Sequence, residues 1–315
     1  MRNWLRLDRS EMGFSPLDRL TLLYVACTTG VLLAHVAGWR QERPSPVEAG
    51  WLLLANALLF VAVLVAPKVR ATRRHSFLAE WYVPFVVSAL YAAVGLLNAP
   101  HEAASSASFD HVVQGWDMAV FGQEVAYTWN RAMPNAALAW FLGLCYLAFY
   151  VIVIAVPAVL WGLRRRAASR QAIYAIVLTF FACYVMFLLF PVGGPPYFWP
   201  WADGAGGPAW PVRVVRTIIE SQDSWGTAFP SSHVAAAVVA TVFAFRGWRP
   251  LGWITLVPTA GIVAAVVYLQ IHYGVDALAG LAVALVVSLI VPWLCPACEP
   301  MGDAELAELD SAATG

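Results

Sequence analysis

Eight stretches of the chain are long and apolar enough to cross a lipid bilayer, and they constrain the fold more than any other feature. A spanning helix needs about 20 mostly apolar residues. The stretches run approximately over residues 18–38, 51–66, 81–98, 136–161, 171–190, 231–248, 251–270 and 274–294. Only helices and closed barrels satisfy their backbone in lipid, and these runs lack the alternation of barrel strands. The sequence therefore predicts an all-α, polytopic transmembrane helix bundle of about eight spans.

Composition excludes several other classes of protein. The 315-residue chain is only 12% charged, whereas soluble domains carry about 25% charged residues. Its formal net charge is +0, and no basic stripe of the kind that binds nucleic acid is present. Cys295 and Cys298 form a single CPAC pair, while a structural zinc needs about four ligands. We therefore expect the membrane bilayer as the surroundings, no nucleic-acid partner, no metal and no cofactor.

The distribution of basic residues predicts the orientation. If the N-terminus lies inside, fourteen lysines and arginines fall in inside segments and five in outside segments, the latter being Arg40, Arg43, Arg131, Arg213 and Arg216. Because inside loops carry the excess of these residues, both termini are expected in the cytoplasm and the 191–230 loop on the outer side. The arginine-rich, alanine-rich composition suggests a bacterial plasma membrane.

Two long segments interrupt the weave of spans. In the first, 99–135, an apolar stripe comprises Phe109, Val112, Val113, Trp116, Val120 and Phe121. It predicts an amphipathic helix lying in the membrane interface, with Asp110, Asp117 and Glu124 facing water. The second segment, 191–230, is rich in proline, glycine and tryptophan. Its turns and its length are typical of a lid or a binding loop.

The stretch AFPSSHVAAAVV, residues 228–239, opens the sixth apolar run with polar groups. An unpartnered polar group in hydrocarbon costs about 2–7 kcal/mol, so the cluster indicates a site. Pro230 suits a first turn, and either Ser231 or Ser232 can cap the helix. A helix N-terminus beside serines can bind an anion, and His233 lies in its first turn.

A second polar group occurs in YLQIHYGVDALAG, residues 268–280. The chain crosses inward through the sixth run and returns through the seventh, which brings His272 to roughly the depth of His233. Asp276 lies four residues after His272, on the same face if the region is helical. Its carboxylate can fix the tautomer of the ring and make the other nitrogen a better nucleophile. Two histidines, an anion cradle and a carboxylate indicate phosphoryl transfer through a phosphohistidine.

These motifs resemble those of the type 2 phosphatidic acid phosphatase superfamily, whose signatures include P-S-x-H and H-x-x-x-D. The sequence YLQIHYGVDALAG is most similar to the branch that contains inositol phosphorylceramide synthase and sphingomyelin synthase. DMAVFG at 117–122, LCYLAFY at 144–150 and FPVGGPPYF at 190–198 are similar to the same branch. The resemblance covers roughly 110–285. It divides the chain into an N-terminal three-span region (1–100), a catalytic domain (101–294) and a disordered acidic tail (295–315).

The resemblance implies a role for each matching residue. His272 would be the nucleophile, Asp276 its orienting partner and His233 the acid that protonates the leaving oxygen. Ser231 and Ser232 would hold the transferred phosphoryl group, and no metal would be required.

The chain departs from the superfamily where many relatives carry cations that offset the phosphate charge. Ala265, Val266 and Tyr197 occupy those positions. Arg213 and Arg216 in the outer loop are therefore the candidate phosphate clamp, and headgroup-facing loop charges are the equal alternative. The predicted substrate loop comprises Gly194, Pro195, Pro196 and Tyr197.

Three functions remain open from the sequence. The first is a lipid phosphate phosphatase, which hydrolyses a phosphomonoester or pyrophosphate at the outer leaflet. The second is a phosphotransferase that moves a phospho-headgroup between lipids. The third is a non-enzymatic lipid carrier or scaffold, for which loss of His272 would leave function intact.

Overall fold

The fold is described by a computed structural model for residues 13–38, 45–72, 77–98, 108–202, 207, 209–222 and 224–295. Within these ranges the chain forms helices and no strand, which confirms the all-α class. The helices are α1 (Pro16–Val36), α2 (Pro46–Thr72), α3 (Phe77–Asn98), α4 (Asp110–Phe121), α5 (Val125–Ala132), α6 (Ala136–Gly162), α7 (Arg166–Leu189), α8 (Trp210–Gln222), α9 (Ser232–Gly247), α10 (Arg249–Tyr268) and α11 (Gly274–Leu294), with a 3₁₀ turn at Pro195–Tyr197. Apart from Cys295, the predicted tail lies outside the described residues.

The apolar stretches of the sequence all fall on helices. In the described part of the chain, α1, the 49–69 part of α2, α6, α7, α10 and α11 are long and apolar enough to cross a membrane, and α9 is apolar but shorter. The protein is therefore a multi-pass membrane protein.

Helix α9 occupies the centre of the bundle, where it packs against α6, α7, α10 and α11. Its buried face carries small residues, including Ala235, Ala236, Ala240 and Ala244. Small side chains let helix backbones approach closely in membranes. Gly280 of α11 shows how close the approach is, since a Cβ there would lie 2.6 Å from the carbonyl oxygen of Ser231.

The first three helices dock on the rest of the bundle through α7, which both α1 and α3 contact. The rings of Tyr24 on α1 and Phe181 on α7 stack with their centroids 4.0 Å apart. The Tyr82 hydroxyl of α3 donates a hydrogen bond to Asp18 Oδ1 of α1 over 2.9 Å. The N-terminal region is thus packed into the bundle, with α7 as the shared wall.

The helix expected in the 99–135 segment is present, but its orientation corrects the sequence-based prediction. The segment forms two helices, α4 and α5, which are separated at Gly122 (φ 70°). Asp110 and Asp117 of α4 are buried rather than facing water, while Trp116 and Val120 are exposed. The carboxylates turn inward because backbone N–H groups of distant segments donate to them, as described below.

Helix α8 was not predicted from the sequence, which indicated a turn-rich loop throughout 191–230. It spans 13 residues and begins at Trp210–Pro211. Proline is favoured in the first turn of a helix because its missing N–H has no intrahelical partner there. Its Val212, Val215 and Ile219 are buried, so α8 covers one end of the bundle beside α6.

Candidate active site

The start of α9 carries the first polar cluster. Ser231 is the N-cap, and its side chain accepts a hydrogen bond from the backbone N–H of Val234. Ser231 and Ser232 are both buried, and His233 follows in the first turn, where it is partly buried. The capping residue that the sequence left open between the two serines is therefore Ser231.

His272 lies in the turn between α10 and α11, one residue before the N-cap Tyr273. The turn closes when the backbone N–H groups of Ile271 and His272 both donate to the carbonyl oxygen of Val266, over 2.9 and 2.8 Å. Although His272 is not itself helical, its Nδ1 lies 3.5 Å from Oδ2 of Asp276. This separation exceeds a normal hydrogen bond, and it is short enough for the carboxylate to orient the ring.

The two histidine rings face one another across the α9–α11 junction. Their centroids are 5.9 Å apart and the ring planes are inclined by 58°. The junction is fixed by a hydrogen bond that the backbone N–H of Ser231 donates to the carbonyl oxygen of Asp276 over 3.0 Å. A backbone contact between the start of α9 and the start of α11 therefore fixes the position of one histidine relative to the other.

Among the described residues, Nδ1 of His233 and both ring nitrogens of His272 are buried without a hydrogen-bond partner. Because Nδ1 of His272 faces Asp276, Nε2 of His272 and Nδ1 of His233 are the two nitrogens open to a ligand. Leaving a buried polar atom unpaired costs about 1–3 kcal/mol, so such atoms are rare and indicate function where they cluster. Two of them at 5.9 Å between ring centroids form a site that can take a group between the rings.

The surroundings of His233 are aromatic. The Tyr146 hydroxyl lies 3.1 Å from Nε2 of His233, and the Phe149 ring lies 4.4 Å away, centroid to centroid. His233 and Ser232 also line one end of a cavity of about 500 Å³ that extends between α3, α6 and α7.

A polar network next to the turn that carries His272 centres on the buried carboxylate of Asp110. The carboxylate accepts hydrogen bonds from the backbone N–H groups of Gly193 (2.7 Å) and Gly194 (2.8 Å), and from the hydroxyls of Tyr273 (2.9 Å) and Ser108. Burial, together with the negative charge of Asp110, raises the pKa of Tyr273 well above its ordinary value. Asp110 thereby joins the glycine loop to the residue that follows His272.

A family model described as the PAP2 superfamily matches residues 111–290. The chain belongs to the PAP2 superfamily. The matched range contains both histidines and Asp276, and it leaves α1, α2 and α3 outside. No curated protein and no solved structure matches the chain. Membership of the PAP2 superfamily assigns the protein to the phosphatases and phosphotransferases that act on lipid phosphates.

A second carboxylate, Asp117, was expected to face water but is buried and holds the start of α11 in this PAP2 protein. Asp117 accepts hydrogen bonds from the backbone N–H groups of Val275 (2.8 Å) and Gly274 (3.3 Å). Burial raises its pKa. Glu124 is close enough to be affected, since burial and the Asp117 charge raise the pKa of Glu124 to about 6. The DMAVFG motif, quoted only for its family likeness, was the signal in the sequence.

The predicted substrate loop of the PAP2 domain packs directly against the histidine turn. Gly194 adopts φ 94°, and a Cβ there would lie 3.0 Å from the Cβ of Ala228 and 3.4 Å from the Ile271 carbonyl oxygen. Glycine is therefore required both for its backbone angle and for the close approach. Pro195 is buried and Pro196 is partly buried, whereas Tyr197 is 49% exposed.

The two arginines proposed as a phosphate clamp have different surroundings. Arg213 is exposed on α8. Arg216 donates from Nη2 to the carbonyl oxygen of Ala202 over 2.7 Å, and the backbone N–H of Ala202 donates to Gln270 Oε1 over 2.6 Å. Arg216 is therefore connected to the turn that carries His272, and Arg213 is not connected to it by these bonds.

A metal centre is not apparent in the part of the chain that the structure describes. No group of three or more His, Cys, Asp or Glu side chains there is arranged to hold a metal ion. The chemistry that these residues can perform is nucleophilic attack by an imidazole with proton transfer from a second imidazole.

Proposed function

We propose that the protein is an integral membrane lipid phosphate phosphatase that acts through a phosphohistidine on His272. The observation that carries the proposal is the pair of facing imidazoles, His233 and His272, each with a buried and unpartnered nitrogen. Superfamily membership supports the reaction class, and the apolar cavity that reaches His233 supports a lipid substrate.

In the proposed first step, Nε2 of His272 attacks phosphorus, because its Nδ1 faces Asp276. The P–N bond forms as the bond between phosphorus and the lipid oxygen breaks in line. His233 starts as the imidazolium cation and gives its Nδ1 proton to the departing oxygen, which leaves as an alcohol while the His233 ring becomes neutral. The carboxylate of Asp276 stabilises the positive charge that develops on the attacking ring.

In the second step, water attacks the phosphohistidine and His233 accepts a proton from it. The P–N bond breaks, His272 is regenerated and inorganic phosphate is released. Ser231, Ser232 and the first N–H groups of α9 bind the transferred phosphoryl oxygens, since a helix N-terminus favours anions. Arg216 adds positive charge from the α8 side. The reaction uses neither metal nor cofactor, and activity is expected to survive EDTA.

Transfer to an alcohol, as in inositol phosphorylceramide synthase, is the second candidate. It is favoured by the burial of His272, which is 4% exposed, and by the loop at 191–198 that packs over its turn. A covered phosphohistidine is protected from water and awaits an acceptor. A lipid carrier that keeps only the fold is the remaining alternative, and nothing in the site favours it.

The proposed topology sets the active site on the extracytoplasmic side of a bacterial plasma membrane, with both termini inside. The excess of lysine and arginine in the opposite loops supports it. The catalytic unit of the proposal is 101–294, with 1–100 as added helices.

The test is to trap the intermediate. Purified protein is mixed with ³²P-labelled phosphatidic acid, quenched in base and digested, and a base-stable, acid-labile adduct is expected on His272. The His272→Asn variant should lose both the adduct and at least about 10³-fold of the activity. His111→Asn is the matched control, because His111 is exposed on α4. Phosphate release without an adduct on His272 would refute the mechanism.

The two catalytic alternatives separate in the same assay. Added diacylglycerol or ceramide should leave the yield of free phosphate unchanged if water is the acceptor. A labelled lipid product formed at the expense of free phosphate would instead favour the phosphotransferase. Full function of His272→Ala in lipid transport would favour the carrier.

A further inference from the structure

The cavity beside His233 is built partly by a helix that lies outside the PAP2 domain. Helix α3 contributes Trp81, Pro84, Val87, Tyr91 and Ala92 to its lining, which follow one another at helical spacing. Helix α7, against which α3 packs, supplies a second wall, and α6 supplies a third. The N-terminal region, which the superfamily match does not include, therefore reaches the site.

The lining is suited to hydrocarbon rather than to a headgroup. Apart from Ser232 and His233 at one end, every lining side chain is aliphatic, proline or aromatic. Three of the lining tyrosine hydroxyls are already engaged. That of Tyr184 bonds to the Val87 carbonyl oxygen, that of Tyr91 to Thr227 and that of Tyr146 to His233. A polar ligand would find few partners along the walls, so the cavity matches an apolar chain attached to a polar group at His233.

The depth of the cavity matches one leaflet. Its lining on α6 extends from Tyr146, beside His233, to Pro157. Eleven residues of helix rise about 16 Å, about half of the roughly 30 Å hydrocarbon core of a bilayer. On α7 the lining continues to Ile173, seven residues after the helix begins. A chain anchored by a phosphate at His233 would thus lie along α6 for the depth of its own leaflet.

The cavity opens sideways between α3 and α6. Tyr150 and Ile154 on α6 line it and are also 39% and 61% exposed. Ala92 on α3 lines it and is exposed as well. At the polar end, Ile218 and Ile219 of α8 close it. Side chains that face both the cavity and the surroundings mark a lateral opening, which in a membrane leads into lipid.

We propose that α3, α6 and α7 form a binding site for one hydrocarbon chain of the lipid whose phosphate is held at His233 and His272, and that the chain enters sideways between α3 and α6. The proposal rests on the proposed function for the identity of the headgroup. It gives α3 the role of selecting substrates by their chain. A second chain of the same lipid, where there is one, stays in the bilayer.

The first test compares a long and a short substrate. The full-length protein is assayed in detergent with hexadecyl phosphate and with ethyl phosphate. Ala92→Trp and Val153→Trp fill the cavity from α3 and from α6, while Val151→Trp, on the 63% exposed face of α6, is the matched control. The two cavity variants should lose about tenfold or more of kcat/KM for hexadecyl phosphate and less than twofold for ethyl phosphate. The control should change neither.

An equal loss with both substrates, or no loss with either, would overturn the chain site. A second readout needs no turnover. A hexadecylphosphonate with a diazirine at the end of its chain is photo-crosslinked to the wild-type protein, and the adducts are mapped. They should fall on α3 and on the Val153–Pro157 part of α6. Excess hexadecyl phosphate should compete, and Ala92→Trp should reduce them.

The two readouts separate failure of this proposal from failure of the proposed function. If adducts form on α3 and α6 and hexadecyl phosphate competes with them, but no phosphate is released, the chain site would be supported and the proposed enzymatic function would be wrong. If phosphate is released but the adducts are confined to the outer faces of the helices, the enzymatic function would be supported and the chain site would be wrong. Adducts that hexadecanol displaces as well as hexadecyl phosphate does would overturn the proposal, because the cavity would then hold bulk lipid rather than the substrate chain.

Discussion

The two imidazoles of the site lie 5.9 Å apart, centroid to centroid, yet their surroundings are opposite in chemistry. The His233 side consists of Tyr146, Phe149 and the apolar cavity. The His272 side consists of Asp276, Tyr273 and the buried carboxylates Asp110 and Asp117. One side is built from side-chain rings on α6, and the other from carboxylates that gather backbone N–H groups.

This difference indicates that the two sides of the site have different roles. Carboxylates and backbone donors fix position and charge, which a nucleophile needs in order to attack in line. Under the proposed function, the aromatic walls on the His233 side would exclude water and accommodate the hydrocarbon chain of the leaving lipid. The His272 side is therefore expected to control turnover, and the His233 side to control proton transfer and the choice of substrate.

The largest effect is expected from Asp276→Asn, which removes the charge on the His272 side. Asparagine can still accept the hydrogen bond from the Tyr273 N–H, now 2.8 Å, so the helix start is kept. The kcat should fall by about 10²- to 10⁴-fold, the range for loss of an orienting carboxylate or a general acid–base group. Steady-state kinetics with an unchanged melting temperature would establish this. Activity within tenfold of wild type would remove Asp276 from the mechanism.

A smaller loss is expected from Asp110→Asn, which weakens the link between the glycine loop and the histidine turn. The carboxylate accepts from Gly193, Gly194 and Tyr273, and an amide group turned toward those donors leaves some of them unpaired, at about 1–3 kcal/mol each. We expect a lower melting temperature and a kcat reduced roughly 10- to 100-fold by misplacement. Reduced stability with full activity would show that Asp110 serves the fold alone.

On the other side of the site, Tyr146→Phe removes one hydroxyl and keeps the ring beside His233. The loss of a hydrogen bond worth about 0.5–1.5 kcal/mol predicts a two- to tenfold lower kcat, with KM for a lipid phosphate nearly unchanged. Tyr150→Phe is the control, since its ring meets His233 only edge-on at 6.3 Å. Equal effects of the two substitutions would contradict a specific role for the 3.1 Å contact.

The smallest effect is a pH-dependent change in stability from Glu124→Gln. Burial raises the pKa of Glu124 from 4.5 to about 6, so the folded protein binds this proton more tightly than the unfolded chain. Stability therefore falls as the pH rises from about 4.5 to about 6, and the penalty persists above that range. The variant should melt a few degrees higher than wild type at pH 8 and nearly equally at pH 4. A difference that is independent of pH would argue against the charge as the cause.

Some elements could be predicted because their causes are local. The start of α9 follows from proline and serine ahead of an apolar run. The approach of His272 to His233 follows from the lengths of α9 and α10, which return the chain to the same depth. Helix α8 was not predicted because the proline-, glycine- and tryptophan-rich segments on either side of it dominate the local sequence pattern. Its burial also depends on α6, which the local pattern does not show.

The burial of Asp110 and Asp117 could not be predicted, because their partners lie far away in the sequence. The donors of Gly193 and Gly194 follow Asp110 by 83 and 84 residues, and the N–H of Val275 follows Asp117 by 158. An acidic residue on an amphipathic helix is normally solvated. Only folding shows that backbone donors have replaced the water.

The sequence by itself determined that this is a helical membrane protein and identified the two histidines and the aspartate as candidates. It could do so because the length of an apolar run and the spacing of nearby residues are local properties of the sequence. The tertiary structure decided which way α4 turns its carboxylates, which atoms of the imidazoles stay unpaired, and that α3 reaches the site. These features depend on close approaches between helices distant in the chain, where small residues permit contact and each buried polar atom must find a partner. The spacing of residues along the sequence does not reveal these contacts.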